Sequence, residues 1–261
     1  MPAEALTATV CSVTFAVLWL RQTRTNDATS VDAAWAIAIG AIGLAAAAVG
    51  AGAPVQRATA AAIVGVWSGR LSWHLVVHRV LAHVGEDGRY RAMRAHWGSK
   101  AHRNLFWFYQ VQAVAALLFA VPFWFLAGHD APILSTVQWS GLAVIAAAQA
   151  LETLSDRQLE AHRRDPGQRG RACRRGLWRY SRHPNYFFEW LTWCGIALVA
   201  APAAGWWAAL QPAAMFVLVR FVSGVPYTEL QALKSRGDDY RRYQQETNAF
   251  VPWWPRRGDA P

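Results

Sequence analysis

Ligand-binding side chains are concentrated at the start of an apolar segment in the C-terminal third of the sequence. The stretch GLWRYSRHPNYFFEWLTWCG is basic and polar in its first half and aromatic and apolar in its second. Pro184 suits the first turn of a helix, and Asn185 and Glu189 then share one helix face. A Glu one turn inside a lipid-embedded helix is paired or faces a cavity, unless it snorkels to the interface. The residues able to bind a ligand here are Tyr180, Arg182, His183, Asn185, Tyr186 and Glu189.

A second group of charged residues precedes that stretch, in ETLSDRQLEAHRRDPGQRGRACRRG. Glu152 and Asp156 lie on one face of a predicted helix, and Arg163 extends that face if the helix continues to Pro166. Carboxylates suit ribose hydroxyls or an amide, whereas arginines such as Arg163 and Arg171 match phosphate oxygens. The alternative is a cytoplasmic loop stabilised by salt bridges. Because glycine-rich phosphate motifs are absent, any nucleotide must be held by side chains.

Near the N-terminus, Asp32 stands at the start of another apolar segment, in TSVDAAWA. Ser30 or Asp32 can cap the helix that begins there, and an Asp is favoured at the positive end of a helix. The alternative interpretation is a polar group that lines a cavity at the membrane boundary.

The third apolar segment carries Arg70, His74 and His78 at four-residue spacing, which places them on one helix face. Such groups within a membrane span face an aqueous cavity or a partner. The H-E-x-x-H metal pattern is absent, so we expect no metal. The following GEDGRY predicts a turn, and Arg89, Arg91 and Arg94 are either positive-inside anchors or anion contacts.

The elements that position these residues are long apolar runs. The 261-residue chain is 54% hydrophobic with a formal charge of +10. A helix needs about 20 apolar residues to cross the hydrocarbon core, so we predict an all-α polytopic membrane protein with seven spans. Lys and Arg concentrate at 79–103, 157–183 and 234–257, which predicts an outside N-terminus and a cytoplasmic C-terminus. The predicted spans are 4–20, 33–53, 58–82, 104–127, 133–151, 186–201 and 203–223.

Other function classes fit the sequence less well. Zinc-ligand spacings and RNA-binding aromatic signatures are absent, so we expect no nucleic-acid partner. The first segment has neither a basic n-region nor a cleavage site and is interpreted as a retained helix. The three cysteines form no disulfide or redox pattern.

Six motifs together resemble the bacterial DUF1295 family. That family is related to the C-terminal region of steroid 5α-reductases and more distantly to sterol reductases. The matching stretches follow the family's order over nearly the whole chain: SVDAAW, EDGRY, ETLSDRQ, GLWRYSRHPNYFFEW, SGVPYTE and YRRYQQETNAFVPWWP.

This resemblance implies one membrane domain, residues 1–261, that uses NADPH to reduce an activated C=C bond in a steroid or other lipid enone. Residues 133–261 would bind the cofactor, and residues 1–127 would form the substrate chamber. Tyr240 and Tyr243 resemble tyrosines that close the cofactor pocket, while Glu152 replaces a common Asn. Positions that match NADPH contacts are Asp156, Arg163, Arg171, Asn185 and Glu189.

The substrate end matches less completely. Steroid 5α-reductases polarise the enone carbonyl with a Glu and a Tyr. Asp32 lies near the first position, but the aligned helix offers His74 and His78 in place of the Tyr, and Tyr90 beyond it is a substitute. We expect the protein in the bacterial inner membrane, in contact with lipid, with its oligomeric state open.

Two other function classes remain. Isoprenylcysteine and phospholipid methyltransferases share RHPNY and an ending with Glu229, Tyr240 and Tyr243, and they bind S-adenosylmethionine near the His and the Glu. This sequence departs from them in DRQ, in its arginine-rich loop and in the Asn185–Glu189 pair. A non-catalytic lipid-binding or scaffold protein is the third alternative.

Overall fold

The computed structural model describes residues 3–81 and 85–256, with side chains from residue 5 onward. Regular structure in these ranges is entirely helical, which confirms the predicted all-α class. The chain forms two compact units, one ending at Leu134 and one beginning at Ser135.

The first unit packs its long helices through small residues. Ser68 of the third helix donates a hydrogen bond to the carbonyl of Ala36 at 2.8 Å, and a side chain at Gly40 would overlap Ser68. Gly40 therefore permits the close approach of the second and third helices. The helices are α1 (Ala3–Thr25), α2 (Val31–Val49), α3 (Pro54–Leu75, continued by a π-helical turn at Val76–Leu81), α4 (Gly88–Trp97) and α5 (Ala101–Gly128).

The second unit is built on a close antiparallel pair of helices, α6 (Thr136–Arg164) and α7 (Pro184–Ala204). A Cβ at Gly141 would lie 2.8 Å from the carbonyl oxygen of Gly195, so only glycine allows this approach. Gln138 closes the same end of the pair by donating to the carbonyl of Val199 at 3.2 Å. The remaining helices are α8 (Leu210–Val217, continued by a π-helical turn at Leu218–Val222), α9 (Val225–Arg236) and α10 (Asp238–Glu246).

The protein is an integral membrane protein with several spanning helices. Within the described ranges, five helical runs are long and apolar enough to cross a bilayer. The predicted segments 186–201 and 203–223 fall in one of these runs, whereas 133–151, which α6 covers from Thr136 onward, lies outside them. The count of seven and the orientation stay predictions. The runs are Ala5–Thr25, Val31–Val49, Pro54–Leu81, Gly88–Gly128 and Pro184–Arg236.

Local signals in the sequence placed several helix ends correctly. The α6 helix ends at Arg164, just before Pro166, and Pro184 begins α7, as the Pro positions predict. The α4 helix was not predicted, because its residues are polar and lack an apolar stripe. Asp87 caps its N-terminus by accepting a hydrogen bond from the Arg89 amide at 2.8 Å.

Candidate functional site

A buried tyrosine contacts the Asp32 carboxylate at the start of α2. The Tyr90 hydroxyl, on α4, donates to Asp32 at 2.7 Å, and the Arg89 guanidinium binds the other carboxylate oxygen. Tyr90 is only 2% exposed. The structure thus brings together the predicted residues Asp32 and Tyr90, and it adds Arg89.

Further charges surround this pair. Arg79 lies 3.5 Å from Asp32 and 3.6 Å from Asp87, and Arg89 lies 3.4 Å from Asp87. Two carboxylates and two guanidinium groups therefore alternate around Tyr90. We call Asp32, Arg79, Asp87, Arg89 and Tyr90 the Asp32 cluster.

The contacts of Ser30 and Asp32 bear on their predicted role at the start of α2. Ser30 occupies the N-cap position of α2, but its side chain makes no capping hydrogen bond, and its hydroxyl accepts from Arg21 at 3.1 Å instead. Asp32 lies in the first turn of α2, as the helix-terminus interpretation predicts, and its carboxylate oxygens also contact Tyr90, Arg79 and Arg89.

The two predicted histidines of the third segment contact each other. The rings of His74 and His78 lie 4.9 Å apart, as their shared helix face predicts, and a π-helical turn begins between them at Val76. Both are half-buried. Within residues 3–81 and 85–256, no group of three or more His, Cys, Asp or Glu side chains could hold a metal ion.

In the second unit, a polar pair joins α6 to α7. Asn185 donates from its side-chain amide to Asp156 at 3.1 Å, and both residues are half-buried. One turn further along α7, Glu189 accepts a hydrogen bond from the Trp193 indole at 3.0 Å. On α6, buried Glu152 lies 3.5 Å from the Gln149 amide. Polar side chains thus continue from the end of α6 into the apolar part of the helix pair.

The arginine-rich segment between these helices folds back onto α6. Gln158 accepts a hydrogen bond from the Leu177 amide at 2.9 Å, and a side chain at Gly176 would overlap Gln158. The His162 ring contacts the carbonyl of Arg171 at 3.1 Å. Since His162 adjoins Arg163, this contact keeps Arg163 and Arg171 near one helix end, and both are exposed. We call residues 165–183 the α6–α7 loop.

A single carboxylate connects the RHPNY motif to the C-terminal helices. Glu229, on α9, accepts from Arg182 at 2.6 Å and contacts His183 at 3.2 Å. From α10, Tyr240 donates to Glu229 at 3.3 Å and Gln244 donates to it at 2.6 Å. These five residues form what we call the Glu229 cluster.

Burial favours the neutral form of His183 within this cluster. Burial lowers the pKa of His183, although the hydrogen bond with Glu229 acts in the opposite direction. The His183 ring stacks on Tyr186 at 5.5 Å, and the Tyr186 hydroxyl contacts Thr228 at 3.2 Å. Burial, followed by the nearby Glu229 charge, raises the pKa of Tyr240. The imidazole is thus oriented on one edge by Glu229 and on one face by Tyr186.

The second C-terminal tyrosine binds the α6–α7 loop. The Tyr243 hydroxyl donates to the carbonyls of Trp178 and Ser181, and Arg174 lies over its ring at 5.4 Å. Tyr180 contacts Trp254 edge to face at 5.4 Å. Tyr180 and Tyr243 therefore hold the loop against the C-terminal segment.

Asp239 gives the same loop a further attachment. It accepts from the Ala172 amide at 2.6 Å and from Arg174 at 2.8 Å. Burial alone would raise the pKa of Asp239, but these hydrogen bonds outweigh burial and lower it.

Sequence reasoning missed several residues that organise these clusters. It did not include Arg79, Gln158, Arg174 or Asp239, and it used Glu229 only in the methyltransferase alternative. Most of their partners are distant in the chain, for example 19 residues from Gln158 to Leu177 and 65 from Arg174 to Asp239, so periodicity carried no signal. A buried arginine requires a carboxylate partner. A search for the partner of Arg182 was therefore the available route to Glu229.

Comparison with known proteins identifies the family. A family model described as "Protein of unknown function (DUF1295)" matches residues 18–247, and the chain belongs to this family. No curated protein and no solved structure matches the chain significantly.

Proposed function

We propose that this protein is a membrane-embedded NADPH-dependent reductase that acts on an activated C=C bond in a hydrophobic lipid, such as a steroid or isoprenoid enone. The observation that carries the proposal is the Asp156–Asn185 hydrogen bond at 3.1 Å. The fold of the α6–α7 loop keeps Arg171 near Arg163, which lies at the end of α6. We expect the protein in the bacterial inner membrane.

The residues of the second unit fit a nucleotide that carries several phosphates. Arg163 and Arg171 are exposed, and guanidinium groups bind phosphate oxygens through two parallel hydrogen bonds. Asp156 and Asn185 present carboxylate and amide groups suited to hydroxyl and amide functions. Glu152 and Glu189 supply further acceptors deeper along the helices. The set therefore offers cations for the phosphates at one end and hydrogen-bonding carboxylate and amide groups at the other.

The first unit contains the Tyr90 hydroxyl, a hydrogen-bond donor suited to the carbonyl oxygen of an enone substrate. When bound, NADPH supplies a hydride for the β-carbon of an enone. The Tyr90 hydroxyl donates to Asp32 and would turn from that carboxylate to the substrate, where a donor stabilises the negative charge that develops on an enolate oxygen. Tyr90 is only 2% exposed, and removal from water strengthens such an interaction. His74 and His78 are the alternative proton donors.

Ligand-dependent stability tests this proposal. Purified protein in detergent is titrated separately with NADPH and with S-adenosylmethionine while its thermal unfolding is followed. A ligand that binds only the native state raises the unfolding temperature. We expect a rise with NADPH. A rise with S-adenosylmethionine alone would overturn the reductase proposal in favour of the methyltransferase.

One observation favours that second candidate. His183 and Glu229 are paired at 3.2 Å, and methyltransferases with the RHPNY element place a His and a Glu near S-adenosylmethionine. The exposed arginines weigh against it, because a methyl donor without phosphates gains little from Arg163 and Arg171. No response to either cofactor would instead support the lipid-binding scaffold.

A further inference from the structure

A groove lies on the surface of the first unit, between the end of α2 and the start of α3. Its volume is about 440 Å³, which is within the usual range of ligand sites. Leu44 on its wall is 46% exposed. One polar residue, Arg57, lines it together with apolar and mostly small side chains, and we call it the Arg57 groove. The apolar lining residues are Leu44, Ala47, Ala48, Pro54, Ala58 and Ala61.

The Arg57 groove lies at one boundary of the membrane. Both of its helices are long and apolar enough to cross a bilayer, over Val31–Val49 and Pro54–Leu81, so the short loop that joins them lies at the membrane surface. Asp32 is at the other end of α2, about 24 Å along the helix axis from Ala48. The groove is therefore separate from the Asp32 cluster.

The Arg57 guanidinium is held at the loop end of the groove. Its Nε donates to the carbonyl of Ala47 at 2.8 Å, and its Nη2 donates to the carbonyl of Ala48 at 2.6 Å. Both carbonyls belong to the last turn of α2, where the negative end of the helix dipole favours a cation. These bonds orient the guanidinium before a ligand binds, which reduces the entropy that binding costs.

The positive charge of Arg57 is not matched by a carboxylate among the described residues. Arg57 is the single Lys or Arg between residues 25 and 69, and its hydrogen bonds in the described part of the chain end on backbone carbonyls. An arginine has more N–H donors than these two bonds use, and those on Nη1 and Nη2 form a second fork. Such a fork matches two oxygens of a phosphate group.

This combination of an apolar surface and a cation selects an anionic phospholipid. The phosphate of a phospholipid lies at the membrane surface and its acyl chains run along the spanning helices, so both parts reach the groove together. A zwitterionic phospholipid carries its own ammonium group, which competes with Arg57 for the phosphate. A soluble phosphate compound has no apolar part to contact the alanines.

We propose that the Arg57 groove binds an anionic phospholipid, with the phosphate on Arg57 and an acyl chain against the alanines of α2 and α3. The bound lipid fills the surface between the two helices and links them at the α2–α3 loop. The site does not depend on the proposed reductase function, so either proposal can fail without the other.

Lipid-dependent stability tests the site. Purified protein in detergent is titrated with phosphatidylglycerol, with phosphatidylcholine of the same acyl chains and with glycerol 3-phosphate, while thermal unfolding is followed. A ligand of the native state raises the unfolding temperature. We expect the largest rise with phosphatidylglycerol, a smaller one with phosphatidylcholine and none with glycerol 3-phosphate. A response to either of the other two compounds that equals the phosphatidylglycerol response would overturn the proposal.

Two variants distinguish the Arg57 groove from the basic loops of the chain, which also attract anionic lipid. Arg57→Gln removes the charge, and Ala58→Leu fills the groove while Arg57 stays in place. Each should raise the half-saturating concentration of phosphatidylglycerol about tenfold. The control is Ala45→Leu, because Ala45 is exposed on α2 and a leucine there lies over the preceding turn, away from the groove. Full retention of the response in either Arg57→Gln or Ala58→Leu would contradict the proposal.

A third variant distinguishes lipid binding from the capping of α2 by Arg57. Arg57→Lys keeps the positive charge but loses the planar fork that binds the two carbonyls. It should therefore keep part of the phosphatidylglycerol response that Arg57→Gln loses. Without lipid, Ala58→Leu should unfold like the unaltered protein, because both hydrogen bonds of Arg57 are kept. Equal losses of the lipid response in Arg57→Lys and Arg57→Gln would reduce Arg57 to a cap of α2 and overturn the site.

Discussion

The Tyr90 hydroxyl donates to the Asp32 carboxylate at 2.7 Å, although 58 residues separate the two in the chain. Arg89 binds the second oxygen of the same carboxylate. Both oxygens of Asp32 are therefore hydrogen-bonded. The contact with Asp32 also fixes the direction in which the Tyr90 hydroxyl points. Because a phenol carries one hydrogen, the Tyr90 hydroxyl must turn from Asp32 to the substrate oxygen before it can stabilise a developing enolate.

Tyr90→Phe should lower the turnover of an enone lipid by about 100- to 1,000-fold, the usual cost of a lost donor to a developing oxyanion. NADPH affinity should be unchanged. Steady-state turnover and NADPH titration measure the two effects. His74→Ala and His78→Ala are the comparison variants. A loss of this size in either of them, with Tyr90→Phe active, would assign the donor to the histidine.

Arg163→Ala should weaken NADPH binding by about tenfold and NADH binding much less, because one charge-assisted contact to the extra phosphate is lost. Arg164→Ala is the matched control, since Arg164 is exposed and pairs with Glu160 at 2.9 Å. Equilibrium titration with both nucleotides measures the change. Equal losses for NADPH and NADH would remove the phosphate role of Arg163.

The sequence was sufficient for the fold class and for most helix positions. Apolar runs and Pro residues give strong local signals, and Pro166 and Pro184 placed two helix boundaries within a residue or two. The α4 helix was not predicted, because a polar helix has no apolar periodicity to detect. Its cap at Asp87 was visible only as a turn motif.

Contacts within the candidate site were harder to predict. Asp32 and Tyr90 could be named as candidates, but their hydrogen bond depends on the packing of α4 against the start of α2. Arg182 and Glu229 show the same limit, since they are 47 residues apart. One sequence shows which side chains are chemically able to interact, whereas the fold decides which of them meet.

Gly176→Ala should destabilise the α6–α7 loop more than Gly170→Ala. Both glycines have positive φ, +58° and +75°, so alanine costs about 1–2 kcal/mol of backbone strain at either. At Gly176 the added methyl group also displaces Gln158, whereas at Gly170 it meets nothing within 4 Å. Thermal unfolding and limited proteolysis of the loop compare the two. An equal effect would show that the Gln158 contact is unimportant.

Stability should fall on acidification through His183. Because burial lowers the pKa of His183 in the folded protein, the unfolded chain binds the proton first. The free energy of unfolding then decreases as pH falls below about 6.5, the ordinary pKa of histidine. His183→Gln should show a smaller decrease between pH 7 and pH 5. Parallel slopes for the two proteins would assign the acid sensitivity to other groups.

Glu229→Gln should lower the free energy of unfolding by about 3 kcal/mol, because it leaves the Arg182 guanidinium buried without a carboxylate. Arg182 is 9% exposed, and its other acceptors among the described residues are the backbone carbonyls of Gln244 and Thr247. Glu160→Gln is the matched control. Its partner Arg164 is 74% exposed, so the loss there should stay below about 1 kcal/mol. Denaturant unfolding in detergent measures both. Similar losses in the two variants would show that Glu229 stabilises the C-terminal helices no more than a surface ion pair does.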